Sequence, residues 1–300
     1  MTQTLYLIGA DRSGSTLLGR LLAAQSAICD VGELYRLNSP ELEALGCACG
    51  RPPRDCPFWS GVIETLENRG LPIGDIDLTG DEAQYFPRRL LAPAPIVQML
   101  AVSLTGAPPR LSVPRVKKMV EAACNCSVVT DIAAEKTGAR VVFDSSKIAA
   151  YGLARYLTRP ASTKIVHLVR DGRAASASMM RHLGAPMSDV ARRWRRTTLA
   201  ALAVNARVSR ARRTRLRYEA LCENPGAEVE RLCSFVCLPY ERSGLLPAAG
   251  HALGGSRSPM LREKDIRVDD RWRSELNARD RETFEREAGW LNRRLGYSSD

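Results

Sequence analysis

The sequence predicts an α/β chain: a single domain whose central, mostly parallel sheet is flanked by helices. Three observations carry this reading. Five short apolar runs, at residues 4–8, 28–31, 140–143, 163–169 and 215–218, are bounded by turn residues as strands are. Longer stretches of helical period alternate with them, which is how a parallel sheet acquires cover on both faces. With 300 residues, 45% of them hydrophobic, 26% charged and 6% aromatic, the chain can bury one large core and falls outside the disordered, collagen-like and disulfide-scaffold classes.

Taken in order, the run at 4–8 ends at Gly9, and a helix is expected over 15–25. After the strand at 28–31, residues 41–111 are rich in Pro and Gly and hold three clustered Cys. They read as an insertion over the sheet, with helices at 57–68 and 81–103. A helix over 114–136 returns the chain to the strand at 140–143, and 147–157 is the next helix. Residues 163–169 make a buried strand that ends in charge, and Asp171 caps a helix over 172–182. Helices over 188–211, 225–236 and 279–295 complete the cover, with the strand at 215–218 among them. Residues 244–268 are irregular and too long for a plain connection, which marks a functional loop.

Forty-four basic against 33 acidic residues give a net charge of +11, so the molecule attracts anions. Only six of the basic residues are Lys; the rest are Arg, whose planar fork suits bidentate contacts to phosphate or sulfate. Nine Cys, an odd number, and a first apolar run too short for a secretory leader predict a reducing, cytoplasmic setting. No apolar window approaches a membrane span, so no transmembrane segment is expected.

Gly9-Ala10-Asp11-Arg12-Ser13-Gly14-Ser15-Thr16 follows the first strand and opens the first helix. In that context successive backbone N–H groups and a helix N-terminus converge on one anion. The spacing matches G-x-x-x-x-G-K-S/T except that Ser15 stands where a nucleoside triphosphatase has its lysine, which argues against triphosphate chemistry. Arg12 supplies the cation instead. A second corner follows at Leu168-Val169-Arg170-Asp171-Gly172-Arg173, where Arg170 emerges at the carboxyl end of a strand. Ser178, about two turns into the next helix, returns toward it. The pair can hold a second phosphate, and an ordinary ion pair and cap explains the same residues.

Arg12-Ser13-Gly14-Ser15-Thr16-Leu17-Leu18, then Gly32-Glu33, then Leu168 to Arg173 with Ser178, resembles the sulfotransferase family that uses 3′-phosphoadenosine 5′-phosphosulfate. The resemblance spans most of the chain and is closest to the bacterial branch similar to tyrosylprotein sulfotransferases. Arg217-Tyr218-Glu219-Ala220-Leu221 with Leu238-Pro239 also looks like that family. It implies a P-loop-like sulfotransferase fold in which Arg12, Ser13, Gly14, Ser15 and Thr16 hold the 5′-phosphosulfate, while Arg170 and Ser178 hold the 3′-phosphate. It places the catalytic glutamate on Glu33, at the same sheet edge as the loop. Lys147, in Asp144-Ser145-Ser146-Lys147, takes the place of a lysine that stabilises the leaving oxygens together with Arg12; a solvated lysine opening a helix is the other reading. A late loop, Gly254-Gly255-Ser256-Arg257-Ser258, would close over the nucleotide through Ser256 and Arg257, although it departs from the Arg-Lys-Gly pattern of cytosolic relatives. Tyr218 is read either as facing adenine or as plain core.

The implied reaction is sulfuryl transfer to a hydroxyl of a carbohydrate, lipid or other small molecule, with no metal required. His167 inside a strand, His182 at a helix end and His251 in the distal loop are poor candidates for the base. Cys47-Ala48-Cys49-Gly50 with Cys56-Pro57-Phe58-Trp59 suggests a small knuckle, but three thiolates leave a tetrahedral zinc site one ligand short, and a disulfide or a reduced turn is expected. Ile96, Val97, Met99, Leu100, Val102 and Leu104 either line an apolar acceptor or pack on the sheet. The basic stretch from Arg192 to Arg213 reads as a solvated face, with no nucleic-acid partner. Two rival readings remain: a degenerate P-loop kinase requiring Mg²⁺ and ATP, and a non-enzymatic basic RNA-binding module, which would lack an aromatic platform.

Overall fold

The computed structural model describes residues 2–38, 46–79, 95–105, 114–242, 250–254 and 266–298. The expected strands form: β1 (Gln3–Gly9), β2 (Ile28–Gly32), β3 (Val141–Lys147), β4 (Thr163–Val169) and β5 (Arg213–Arg217). They make one five-stranded sheet in the order β2-β3-β1-β4-β5, every neighbouring pair parallel. All the carboxyl ends therefore lie on one edge. Because β1 sits between β3 and β4, connections diverge on either side of it, and a crevice opens there of the kind in which open α/β sheets bind ligands.

The central strand explains the two layers of helix. Its period of two sends Leu5 and Leu7 to one face and Tyr6 and Ile8 to the other, all of them buried. Leu5 and Leu7 pack with Leu18, Leu21 and Leu22 of the helix Ser15–Ala23 and with Val229 and Leu232 of the helix Pro225–Phe235. Tyr6 and Ile8 pack with the helices Pro114–Thr137, Ala149–Thr158 and Met187–Arg207. A third cluster joins β2 through Cys29 and Val31 to Trp59, Val62 and Leu66 of the helix Pro57–Asn68. A fourth holds the helix Gly172–Leu183 against Trp194, Trp272 and Phe284. No helix among the described residues is long and apolar enough to cross a membrane.

Several boundaries differ from the sequence expectation, and two of them move site residues. β3 runs on to Lys147 instead of stopping at Phe143. There Asp144 Oδ1 accepts both the Ser146 amide (3.0 Å) and its hydroxyl (2.5 Å), and the ladder with β1 slips one register before Lys147. Lys147 thus ends a strand rather than opening a helix. At the other edge β5 stops at Arg217 and Tyr218 begins a short helix, Tyr218–Glu223. The helix expected to 211 ends at Arg207 and is followed by a tight turn at Arg210–Arg212. Of the helix expected over 81–103, the described part is Pro95–Thr105.

Two carboxyls are buried under the sheet edge. Asp144 meets Arg155 at 3.3 Å, and Arg155 also donates to Thr4 (3.0 Å) and Thr130 (3.1 Å), so that charge is compensated. Asp30 accepts the Gly32 amide at 2.9 Å but has no ion pair among the described residues. Burial pushes its pKa up to about 7, and the nearby Asp144 adds to the effect. A carboxyl whose folded pKa lies above its unfolded one stabilises the fold at low pH and loses that contribution as pH rises to the folded value. Asp30→Asn should therefore gain stability over the wild type by about 2 kcal/mol more at pH ~8 than at pH ~5. Denaturant melts at the two pH values measure this, and an unchanged gap contradicts it.

Candidate active site

Each strand brings one element of the site to the carboxyl edge: the loop after β1, Glu33 after β2, Lys147 at the end of β3, Arg170 after β4 and Tyr218 after β5. The β1 loop passes through Arg12 with φ 62° and Gly14 with φ 97°, then enters the helix at Ser15. Gly14 is required on two counts: the left-handed backbone, and a Cβ there would collide with the Tyr218 ring. The amides of Ser15 and Thr16 belong to the first helical turn, where N–H groups lack intrahelical partners. The Ser13 hydroxyl is buried, 2% exposed, with no hydrogen-bond partner among the described residues. A buried hydroxyl left without a partner at a loop of this form is what an anion's oxygen would satisfy. Arg12 and Lys147 are two of the three non-glycine residues in left-handed backbone among the described residues, so backbone strain is concentrated at this edge.

The second corner is physically joined to the loop. Arg12 Nε donates to Ser178 Oγ at 3.0 Å, and Arg170 donates to the Arg12 carbonyl oxygen at 2.8 Å. Arg170, only 6% exposed, also donates to the backbone carbonyl and carboxylate of Asp269 and lies 4.3 Å over the Tyr218 ring. Its Nε has no partner among the described residues. Burial, then the like charges of Arg170 and Arg181, lower the pKa of Arg12 below the usual arginine value. Asp269 opposes them, its own carboxyl held down by Arg271 and Arg170 against the effect of burial. Glu275 pairs with Arg181 and Asp11 is engaged by Arg193 at 2.5 Å, so Arg12 and Arg170 are left to share Asp269 and the corner stays cationic. This cluster favours a multiply charged anion. The corner is braced from beneath: Asp171 caps Arg173, and the buried Asn292 accepts the Gly172 amide at 2.8 Å.

On the β2–β3 side the Glu33 carboxylate accepts from Arg36 Nε at 2.6 Å and from the Lys147 ammonium. Both Glu33 and Lys147 are mostly buried, with side chains 12% and 11% exposed. Burial raises the Glu33 pKa, but Lys147 and then Arg36 outweigh it and hold the carboxyl below its ordinary value. Glu33 is therefore an ionised acceptor at neutral pH, paired with the Lys147 ammonium. The Glu33 amide donates to the Leu253 carbonyl at 2.8 Å, and the turn before it needs Gly32 (φ 70°), where a Cβ would strike the Leu253 backbone.

The fold thus gathers Arg12, Ser13, Gly14, Ser15, Thr16, Arg170, Ser178 and Tyr218 on one side and pairs Glu33 with Lys147 on the other. The Arg12 side chain is directed to Ser178, the second corner. Tyr218 has one ring face under Arg170 and its edge against Gly14, so it supports the loop. Ser256 and Arg257 lie outside the described residues. His167 is buried within β4, its pKa pushed down to about 3 by burial and by Arg215, and it is neutral. On the helix Pro95–Thr105, Met99 is buried with Tyr6 and Ile8, Leu100 packs against that cluster, and Val97 and Leu104 are exposed; the side chains of Ile96 and Val102 lie outside the described ones. Arg36, Arg181 and Asp269 were not singled out from the sequence. Arg36 is separated from Glu33 by one turn and could have been read as its partner, whereas Asp269 reaches Arg170 only through the fold.

The class these features define is an α/β protein with a glycine-bearing strand-to-helix loop after β1 and a cationic corner after β4 bonded to it. Residues 117–242 match the model of the sulfotransferase family, a span that includes Lys147, Arg170, Ser178 and Tyr218. The match covers less than half of the chain, and over that span the chain is similar to the sulfotransferase family. Its architecture is shared by a sulfotransferase domain from the Synechococcus PCC 7002 olefin synthase, at 18% identity over 99% of this chain and 96% of that one, with a TM-score of 0.51. A sulfotransferase domain from the curacin biosynthetic pathway is similar at 15% identity over 99% of both chains, with a TM-score of 0.52. At these identities the likeness is one of fold. No curated protein matches the chain significantly.

Proposed function

We propose that the protein transfers the sulfuryl group of 3′-phosphoadenosine 5′-phosphosulfate to an alcohol or phenol hydroxyl of a small molecule, carbohydrate or lipid. The observation that carries this reading is the direct bonding of the β1 loop to the β4 corner through Arg12, Ser178 and Arg170, two anion sites in one crevice. A nucleotide with a phosphosulfate at one end of its ribose and a phosphate at the other fits that pairing.

The donor supplies the sulfuryl group and leaves as adenosine 3′,5′-bisphosphate. The N–H groups of the loop and of the helix starting at Ser15 hold the 5′ end, while Arg170, Ser178 and Arg12 hold the 3′-phosphate. Glu33 takes the proton of the acceptor hydroxyl as that oxygen bonds to sulfur and the sulfur–bridging-oxygen bond breaks. Lys147 compensates the charge that grows on the departing phosphate. In the resting protein Lys147 is bound to Glu33 and weakens it as a base. When Lys147 turns to the departing oxygen, Glu33 loses its strongest stabilising partner and becomes more basic, so base strength rises as the leaving group departs.

A transfer assay with sulfur-labelled donor and a panel of alcohols and phenols tests the reading. Label is expected in an acceptor together with stoichiometric adenosine 3′,5′-bisphosphate. Label that stays in the nucleotide, while terminally labelled ATP with Mg²⁺ labels an acceptor, would replace it with the kinase reading. The absent loop lysine stands against that second outcome.

A further inference from the structure

We propose that Cys47, Cys49, Cys56 and His251 form a structural zinc site that clamps the segment 250–254 onto the turn carrying Glu33. The sequence supplied three thiolates and no fourth donor nearby. The fold brings His251 to them from 195 residues beyond Cys56. The three sulfurs and a histidine ring nitrogen all lie within 4.8 Å of one another, with His251 Nδ1 3.8 Å from Cys47 Sγ and 3.2 Å from Cys56 Sγ. A tetrahedron with Zn–S of about 2.3 Å and Zn–N of about 2.0 Å has ligand-to-ligand edges of roughly 3.6–3.8 Å, so small side-chain adjustments close it around one ion.

Donor chemistry selects the metal. Three soft thiolates and an imidazole suit zinc and not the hard cations Mg²⁺ or Ca²⁺, and four protein ligands leave no position for a water or substrate, which makes the site structural. The surroundings hold the ligands in place. Cys47 and Cys49 flank a tight turn in which Gly50, φ 88°, donates to the Cys47 carbonyl at 2.9 Å. Trp59 Nε1 donates to the His251 carbonyl at 2.6 Å, and Phe58 stacks on the His251 ring at 5.1 Å. Supporting contacts of this kind commonly orient metal-bound histidines.

The consequence reaches the catalytic edge through short backbone links. Ala48 donates to the Ala252 carbonyl at 3.0 Å, and Leu253 donates to Val31 at 3.0 Å and accepts from Glu33 at 2.8 Å. Gly254 then sits against the Glu33 carboxylate, since a Cβ there would lie 3.2 Å from Glu33 Oε2. Closing so long a stretch of chain with one ion also restricts the unfolded ensemble.

Metal analysis of the full chain, purified without chelator, tests the site with no donor or acceptor present, so its outcome is separate from that of the transfer assay. One zinc per chain is expected, and Co²⁺ in its place should give the intense visible bands of tetrahedral thiolate coordination. His251→Ala should weaken zinc binding by roughly 100-fold or more, while His251→Cys should restore it. Chelation should speed amide exchange at Glu33 and Leu253 while the amides of β1 stay protected. Three results would each overturn the proposal: a chain that neither carries nor takes up zinc or cobalt, a mass showing a disulfide among the three cysteines, or wild-type zinc affinity in His251→Ala.

Discussion

Glu33→Gln is expected to lower kcat by about 10²–10⁴-fold and to leave the affinity for adenosine 3′,5′-bisphosphate within about threefold. Glutamine keeps the size of the side chain and can still accept from Lys147, so the turn held by Leu253 survives, but the amide cannot take the acceptor's proton. The donor's anionic groups are held by the β1 loop and the β4 corner, whose residues make no bond to Glu33, which is why affinity is spared. The pH profile adds a sign. Lys147 and Arg36 hold the Glu33 pKa low, so the acid limb of kcat/KM in the wild type lies below the ordinary carboxylate range. In Lys147→Ala the burial of Glu33 is no longer opposed by its main partner, and the acid limb of the residual activity should move up by about one to two pH units. Near-wild-type turnover in Glu33→Gln removes Glu33 from the chemistry.

Arg170→Ala should raise the dissociation constant for adenosine 3′,5′-bisphosphate by about 100-fold or more, with a smaller change in kcat at saturating donor. Arg170 is buried beside two other guanidiniums, where a charge-assisted contact to phosphate is little screened. It also holds the Arg12 carbonyl and covers Tyr218, so its loss loosens the loop as well. Ser178→Ala removes one hydroxyl and should weaken binding by roughly 5–20-fold. In Arg170→Ala the preference for the bisphosphate over adenosine 5′-phosphate should collapse, because the residue acts on the 3′-phosphate. A uniform loss for both nucleotides would show that Arg170 only supports the loop.

The sheet was readable because β1 to β4 carry short apolar runs bounded by turn residues and are buried under helices of clear period, while the edge strand β5 buries only Leu216. Local motifs were readable for the same reason: the loop from Gly9 to Thr16 and the corner from Leu168 to Arg173 each occupy a few consecutive residues that form a single strand-to-helix turn. What sequence could not give is the joining of distant pieces. Nothing local says that Arg12 reaches Ser178, that Lys147 bonds Glu33 across two strands, or that His251 completes a cysteine set near residue 50; the separations are 166, 114 and 195 residues. Lys147 and Tyr218 were misplaced by one element because the pairing of β3 with β1, which carries β3 past the local Asp144-Ser146 turn, and the Arg170 contact to Tyr218 are both tertiary.

Calorimetric titration with adenosine 3′,5′-bisphosphate, adenosine 5′-phosphate and ATP with Mg²⁺ tests most directly whether the two corners form one site. The bisphosphate should bind about 100-fold or more tightly than adenosine 5′-phosphate, without a metal ion, and should outbind ATP with Mg²⁺. Equal affinity for the bisphosphate and adenosine 5′-phosphate, or a preference for ATP with Mg²⁺, would contradict the account.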